Sequence, residues 1–145
     1  MEETQEKLLH RERVKIEIND SRTPFADLDD EVKLAIRCAL DKKAENMVVL
    51  DLREIASFAE FFVIASGNNQ RQVQAVADEI AEQLKKQLGA RVIRTEGYNT
   101  AEWVLLDYGD FIVHVFDKNS REFYDLERLW LDAKRVEMPR EEAGV

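Results

Sequence analysis

Apolar residues recur at helical spacing in two long segments of the chain. The first segment follows Asp29 or Asp30, either of which can cap a helix. The second follows Asn68 or Asn69 and stops at Gly89, a residue type that commonly ends helices. Both segments are predicted to be amphipathic helices that bury one face. The buried stripes consist of Val32, Ala35, Ile36, Ala39 and Leu40 in the first helix and of Val73, Val76, Ala77, Ile80, Ala81, Leu84 and Leu88 in the second.

Short β-branched and aromatic runs predict strands around these helices. The runs cover residues 47–52, 61–65 and 91–95. A last short helix begins at Asp125 and buries Leu126, Leu129 and Trp130. Together with a hairpin at residues 103–116, this order predicts a single α/β domain in which helices pack a mixed sheet of about five strands.

The two ends of the chain differ from this domain, which we assign to residues 29–135. Residues 1–28 are highly charged and lack a sustained period, so we expect a loosely ordered N-terminal extension. Within it, the alternation at residues 14–18 is compatible with a strand or a binding segment. Residues 136–145 contain a proline and are expected to form a C-terminal tail.

Two apolar runs flank Gly109-Asp110 and predict a β-hairpin. A Gly-X pair suits a two-residue type II′ turn, which fixes the register of the two strands. One face of the hairpin is then apolar except for a tyrosine hydroxyl, as expected of a core face. Its cross-strand pairs are Tyr108 with Phe111, Leu106 with Val113 and Val104 with Val115.

The opposite face of the hairpin mixes large apolar side chains with polar ones. Its pairs are Trp103 with Phe116, Leu105 with His114 and Asp107 with Ile112. Such mixed character is typical of a protein-binding patch, which could hold another protein or a second copy of the chain in a homodimer. Alternatively, a helix covers this face, and Asp107 and His114 lie at its rim. The pattern alone leaves both interpretations open.

The charge balance argues against direct, sequence-specific binding of nucleic acid. The net charge is −9, whereas proteins that bind phosphate backbones present clusters of Lys and Arg. The acidic residues between Arg94 and Lys118 are Glu96, Glu102, Asp107, Asp110 and Asp117. This stretch contains no Lys or Arg, so it would attract a basic protein. An ordinary solvated acidic face is equally compatible with the pattern.

The single cysteine, Cys38, bears on the compartment. It falls on the apolar stripe of the first helix, so we expect a core residue rather than a reactive thiol. One cysteine excludes an internal disulfide and fits a reducing compartment. No apolar run approaches the roughly 20 residues of a membrane span, and the acidic N-terminus does not resemble a targeting peptide. We therefore expect a cytoplasmic protein without membrane contact.

The sequence offers little material for catalysis. The histidines His10 and His114 are not accompanied by a zinc-binding cluster or a nucleotide fingerprint. The turn Ser66-Gly67-Asn68 before a helix is similar to the phosphate-binding turn of nucleotidyltransferases. Those enzymes also need two carboxylates on the next strand to hold metal ions, and residues 91–96 offer only Glu96. We predict a protein that is not an enzyme and has no cofactor or metal site.

Several longer motifs resemble those of the RsfS (YbeB, Iojap) family, and the likeness runs from about Asp29 to Ala133. Residues 41–80 read DKKAENMVVLDLREIASFAEFFVIASGNNQRQVQAVADEI, which is similar to the first half of the family. The second half is represented by EGYNTAEWVLLDYGDFIVHVF at 96–116 and by REFYDLERLW at 121–130. The specific motifs are strand–SGN–helix, EG followed by W-V-x-x-D-x-G-D, then V-H-V-F and YDLERLW. Residues 1–28 lie outside the resemblance, which assigns them no role.

The resemblance implies a nucleotidyltransferase-like fold without the catalytic carboxylates. It also implies a ribosomal silencing factor that binds the large ribosomal subunit through ribosomal protein L-fourteen. Bound there, such a factor sterically blocks joining of the small subunit and lowers protein synthesis under nutrient limitation or in stationary phase. The alternative is a large-subunit assembly factor that uses the same surface, and a nucleotidyltransferase-like enzyme is less favoured.

The resemblance also implies where the contact surface lies. In the family it surrounds the tryptophan of the W-V-x-x-D-x-G-D motif, and the mixed face of the hairpin includes the same tryptophan. The candidate partner-binding residues are therefore Trp103, Leu105, Asp107, Tyr108, Gly109, Asp110, His114 and Phe116.

Overall fold

A mixed β-sheet forms the centre of the computed structural model, which describes residues 2–11 and 16–139. The strands in these residues are Arg22–Thr23 (β1), Glu45–Asp51 (β2), Phe61–Gly67 (β3), Arg94–Glu96 (β4), Trp103–Asp107 (β5), Phe111–Asp117 (β6) and Lys134–Val136 (β7). They lie in the order β1-β7-β2-β3-β6-β5-β4. Parallel pairing joins β1 to β7 and β3 to β6, and the other neighbours are antiparallel.

The helices pack on this sheet and confirm the predicted α/β domain. In the described residues they are Glu3–Leu9 (α1), Asp30–Asp41 (α2), Gln70–Leu88 (α3), Lys118–Tyr124 (α4) and Leu126–Leu129 (α5), with a 3-10 turn at Phe25–Asp27. The predicted cap of α3 is present, because the Asn69 side chain accepts a hydrogen bond from the Gln72 N–H at 2.8 Å. Gly89 ends the same helix with a left-handed φ of 65°. Of the helices described, none combines the length and the apolar character that crossing a membrane requires.

The sheet buries side chains on both faces. One face packs against α2 and α3 and contains Val63, Ala65, Val104, Leu106, Val113 and Val115. The other packs with residues of α1, α4 and α5 and contains Phe62, Ile64, Trp103, Leu105, Ile112 and Phe116. Both faces of the hairpin are therefore covered in this structure, and the faces differ in which helices cover them.

The β5–β6 hairpin has the predicted register. Leu106 lies opposite Val113 on one face, and Leu105 lies opposite His114 on the other. Gly109 has a φ of 89°, the positive value that a type II′ turn needs at its first central residue. The turn therefore sets which residues share a face, as the sequence pattern indicates.

The sheet is larger than the predicted five strands, since seven are present in the described residues. The two additional strands, β1 and β7, contain only two and three residues. They lie at one edge of the sheet and carry charged residues in place of an apolar run, so no pattern marks them. Two further differences concern β4, which begins at Arg94 rather than at residue 91, and α4, which buries no residue and so shows no stripe.

The N-terminal extension contains regular structure that the sequence pattern did not predict. We expected residues 1–28 to be loosely ordered, but α1 and β1 lie within them. α1 has seven residues and buries only Gln5 and Leu8, which is too little for a helical period to be visible. Of the alternation at 14–18, residues 16–18 lie in no helix or strand, and the other two lie outside the described residues.

The predicted C-terminal tail is described only in part. Its first residue, Val136, belongs to β7 and is paired with Thr23 of β1. The N–H of the next residue, Glu137, donates a hydrogen bond to the carbonyl of Thr23 at 2.8 Å. Residues 140–145 lie outside the described part of the chain.

Candidate functional site

Trp103 and His114 form a buried polar pair within an aromatic cluster. The indole Nε1–H of Trp103 donates to His114 Nδ1 at 3.1 Å, and the two side chains are 3% and 0% exposed. The Phe116 ring stacks on Trp103 with centroids 4.9 Å apart, and Tyr124 of α4 contacts the same indole at 4.9 Å. The pair therefore lies inside the sheet–helix interface and not on the surface.

The surroundings of His114 favour the neutral imidazole. Because Nδ1 accepts a hydrogen bond, the proton of the neutral ring is assigned to Nε2. Nε2 is buried and has no hydrogen-bond partner among the described residues, and the Phe62 ring lies edge-to-face with the imidazole at 4.7 Å. Burial lowers the pKa of His114 to about 3. His114 is thus a packed, neutral residue, and it lacks the pKa near neutrality that a general base needs.

The eight candidate residues divide into two groups. Trp103, Leu105, His114 and Phe116 are buried, whereas Asp107, Tyr108 and Gly109 are partly exposed and Asp110 is exposed. For the four buried residues, the structure agrees with the alternative in which a helix covers this face of the hairpin. Its rim placement is right for Asp107 and wrong for His114, which the Trp103 hydrogen bond accommodates in the core.

The accessible group lies at the tip of the β5–β6 hairpin. A carboxylate oxygen of Asp107 accepts a hydrogen bond from the Gly109 N–H at 2.8 Å, which holds the acid beside the turn. The Asp110 carbonyl accepts from the Glu60 N–H at 2.6 Å, so the loop before β3 is joined to this tip. Because Glu60 is also exposed, carboxylates from two segments lie at the same end of the sheet.

Tyr108 turns its ring from this tip into the core. The ring stacks on Phe111 with centroids 4.9 Å apart and an angle of 7° between the planes. Its hydroxyl is buried without a hydrogen-bond partner among the described residues. Burial, together with the nearby Cys38 and Glu31, raises the pKa of Tyr108 to about 12. The tyrosine therefore contributes its ring to packing rather than its hydroxyl to a site.

Gly97 sets the backbone position of Trp103. A Cβ at residue 97 would lie 2.0 Å from the Trp103 carbonyl oxygen, and the φ of 76° also favours glycine. β4 ends one residue earlier, at Glu96, which pairs with Leu105 of β5. The EG motif is therefore explained by the close approach of two backbones, which the sequence marked only as part of a resemblance.

Helix α1 contacts the same backbone, and the sequence pattern did not predict this contact. Gln5 Nε2 donates to the Trp103 carbonyl at 2.8 Å, and the Gln5 N–H donates to a carboxylate oxygen of Glu96 at 3.2 Å. Next to it, Arg94 donates to the Thr4 hydroxyl at 2.7 Å. α1 is thus held against the end of β4 and the beginning of β5.

The Ser66-Gly67-Asn68 turn is occupied by internal contacts. Ser66 is buried, and its hydroxyl accepts a hydrogen bond from Arg121 at 2.8 Å. Arg121 also pairs with Glu127 at 2.9 Å. A guanidinium beside the turn repels metal cations, and the residues described contain no group of three or more His, Cys, Asp or Glu that could hold a metal ion. The turn therefore serves as a helix start and a packing contact.

Cys38 lies on the buried face of α2 and belongs to the domain core, as predicted. Burial raises the pKa of its thiol to about 11, with smaller contributions from the carboxylates of Glu79 and Asp41. Because the thiolate is the reactive form, this cysteine is unsuited to act as a nucleophile.

The comparison with protein families concerns residues 26–144, which match the model of RsfS, described as "Ribosomal silencing factor during starvation". The match includes α2, α3 and the strands from β2 to β7. The chain belongs to the RsfS family. Within the family region lie all eight candidate residues, the Ser66 turn and Gly97. The match begins after β1, so α1 precedes it.

One named relative and two solved structures are similar to most of this chain. The ribosomal silencing factor RsfS of Halalkalibacterium halodurans is 47% identical over 107 residues, which cover 74% of this chain and 91% of that protein. A crystal structure from Bacillus halodurans has a TM-score of 0.65 and 43% identity, with 74% of this chain and 96% of that chain covered. A crystal structure from Chromobacterium violaceum has a TM-score of 0.68 and 34% identity, covering 76% and 88%.

Proposed function

We propose that this protein is a ribosomal silencing factor acting in the cytoplasm. It binds the large ribosomal subunit through ribosomal protein L-fourteen and prevents the small subunit from joining, so that translation falls when nutrients are short. The observation that carries this proposal is the RsfS match over residues 26–144. That region contains the packed domain with its tryptophan hairpin.

The surface charge supports a basic protein as the partner. Asp110 and Glu60 are exposed at the hairpin tip, Asp107 is partly exposed, and the net charge is −9. Ribosomal proteins that lie on RNA are generally basic, so opposite charges would steer the two surfaces together. Such rim charges act mainly on the association rate, while buried aromatic side chains supply most of the binding energy at interfaces.

The interior of the domain supports an action without chemistry. His114 is buried and neutral, Cys38 is a buried thiol, and Ser66 is bonded to Arg121. Each of these side chains is used by packing or by an internal contact. We therefore propose that the domain acts by occupying space on the large subunit and that no reaction accompanies binding.

Sedimentation with separated ribosomal subunits tests the proposal. The protein is mixed with large or small subunits, and its position in a sucrose gradient is followed. We expect it to migrate with the large subunit only, and to reduce the joined fraction when small subunits are added afterwards. Cross-linking of the bound protein through carboxylates should then recover L-fourteen. Migration with the small subunit, or unchanged joining at saturating protein, would refute the proposal.

A further inference from the structure

Helix α1 lies outside the region matched by the family and covers part of the Trp103 face. It is anchored there by Gln5, whose amide bonds to the Trp103 carbonyl and whose backbone N–H bonds to Glu96. Leu8 is buried in the same apolar cluster as Trp103. α1 therefore covers a surface of the domain that the family model matches, although α1 itself lies outside the matched residues.

The edge of this contact is a groove between α1 and the domain. It has a volume of about 220 Å³ and is lined by Glu2, Gln5, Gly97, Thr100, Trp103 and Tyr124, among others. Trp103 thus lines this groove but is only 3% exposed while α1 is in place. Displacing α1 would extend the groove along the Trp103 side of the sheet.

Arg11, the second residue after the end of α1, contacts the end of α5. The Arg11 guanidinium lies over the Trp130 ring at 3.9 Å and pairs with the Asp132 carboxylate at 3.0 and 3.1 Å. It also donates to the Leu129 carbonyl. Residues 2–11 therefore run from the β4 edge, where Gln5 binds the Trp103 carbonyl, to the end of α5, where Arg11 covers the Trp130 ring.

Helix α1 contributes one fully buried apolar residue, Leu8, to the core of the domain. A helix of seven residues is not stable alone in water, so α1 persists only while its contacts hold. The contacts are mostly polar, with Leu8 as the fully buried apolar side chain of the helix. Release of α1 is therefore a local opening, and the sheet and its two long helices need not unfold.

We propose that residues 2–11 form an intramolecular cap that regulates the Trp103 face. The inference rests on the proposed function and on the family resemblance, which implies that the contact with the large subunit surrounds Trp103. With the cap closed, Trp103 and its neighbours are withheld from the partner. Binding selects the open state, and the apparent dissociation constant is the intrinsic constant divided by the open fraction. An open fraction of about 10% would weaken binding about tenfold relative to an uncapped protein.

Two double variants of the full-length chain provide the test. Gln5→Ala/Leu8→Ala removes the docking contacts, whereas Glu6→Ala/Lys7→Ala changes exposed positions of the same helix. Alanine favours helix at all four positions, but Gln5→Ala also removes a capping hydrogen bond from the Glu2 N–H, so the single variant Leu8→Ala separates docking from helix formation. The surface pair Lys7–Glu3 lost in the control contributes little. Arg11→Ala opens the cap independently at its other end, and thermal melts establish that each variant is folded.

Cap opening and subunit binding are measured separately. Acrylamide quenching reports the exposure of the indoles, because Trp130 lies under Arg11 and Trp103 lines the groove beside Gln5. Affinity for purified large subunits is measured on the same samples. We expect Gln5→Ala/Leu8→Ala and Arg11→Ala to be quenched more strongly and to bind up to about tenfold more tightly, with the control like wild type.

Each other outcome contradicts a different statement. Equal quenching in all proteins would show that these contacts do not hold a cap. Stronger quenching with unchanged affinity would show that the cap does not control binding, and weaker binding would make α1 part of the interface. In these three cases the proposed function stands. If neither wild type nor the opened variants bind large subunits, the proposed function fails, and the regulatory role of the cap fails with it.

Discussion

The Trp103 indole donates its hydrogen bond to His114 across neighbouring strands, within a cluster of aromatic rings. This bond lets two polar atoms be buried together, because each would otherwise lose a hydrogen bond with water. It also explains why a histidine occupies an interior strand position with Leu105 as its cross-strand neighbour. His114 was one reason to interpret this hairpin face as a binding surface, and in the structure it is the hydrogen-bond partner of Trp103.

The pKa of His114 predicts a contribution to stability that depends on pH. Its pKa is about 3 in the folded protein and about 6.5 when unfolded, so protons favour unfolding below pH 6.5. The contribution is complete above that pH and is lost as the pH falls towards 3. Wild type should lose about 2 kcal/mol relative to His114→Phe between pH 7 and pH 5. Urea unfolding at both pH values measures this difference, in which the effects of the shared carboxylates cancel. A constant difference would contradict the assignment.

Burial of Trp103 predicts that its truncation destabilises the fold. Trp103→Ala should lower the free energy of unfolding by roughly 3–5 kcal/mol, as expected for a large aromatic residue removed from a core. Phe123 is the matched control because it is 80% exposed, and Phe123→Ala should change the stability by less than about 0.5 kcal/mol. Denaturant titrations of both variants check this. Similar small effects would mean that Trp103 is not packed as the structure shows.

The approach of Gly97 to the Trp103 carbonyl predicts that residue 97 must be glycine. Gly97→Ala should cost roughly 2–4 kcal/mol, since left-handed strain adds to the displacement of a backbone atom. Gly89 has a similar φ of 65° but open space around its Cβ position. Gly89→Ala should therefore cost only about 1–2 kcal/mol of left-handed strain. If the two substitutions have equal effects on unfolding, the close approach is not a constraint.

The unpaired hydroxyl of Tyr108 predicts a substitution that does not weaken the protein. Tyr108→Phe keeps the ring stacked on Phe111 and removes a buried polar atom without a hydrogen-bond partner among the described residues. The variant should be as stable as wild type or more stable by up to about 1 kcal/mol. Thermal and urea unfolding measure the change. A loss above about 1 kcal/mol would reveal a hydrogen bond at this hydroxyl.

The acids at the hairpin tip predict a salt-dependent association rate. Asp107→Asn/Asp110→Asn should slow association with the large subunit and weaken its dependence on salt, because exposed charges act through screened steering. Asparagine keeps the oxygen that accepts from Gly109. Glu79→Gln/Glu82→Gln on α3 removes the same charge from the opposite side of the sheet and should have a smaller effect. Association rates on immobilised large subunits, measured at two salt concentrations, test this prediction. If both double variants change the association rate equally, the net charge of the protein steers binding rather than the acids at the hairpin tip.

The parts of the fold that depend on local spacing could be predicted from the sequence. The stripe of α3, its Asn69 cap and its end at Gly89 all follow from contacts within a few residues. The register of β5 and β6 follows from the two-residue turn between them. These signals are strong because hydrophobic period, cap and turn chemistry agree with one another.

The covering of the Trp103 face could not be predicted, because it depends on contacts distant in sequence. The sequence shows which residues share a face. It does not show that the Gln5 side chain donates a hydrogen bond to the Trp103 carbonyl, which is 98 residues away. Nor does it show that Tyr124 packs on the same indole. The short edge strands were missed for a related reason, since Arg22 and Arg135 are paired by position at the sheet edge and not by an apolar pattern.

The contact between Arg11 and Asp132 joins residues that are 121 positions apart, and it has a consequence for the newly synthesised chain. Translation releases residues 2–11 well before Asp132 and β7. Non-local contacts form slowly because the intervening chain must be ordered before they can close. The parallel pair of β3 and β6 must also wait until Phe111–Asp117 has been made, which delays the centre of the sheet. Residues 2–11 are therefore made early but reach their places late.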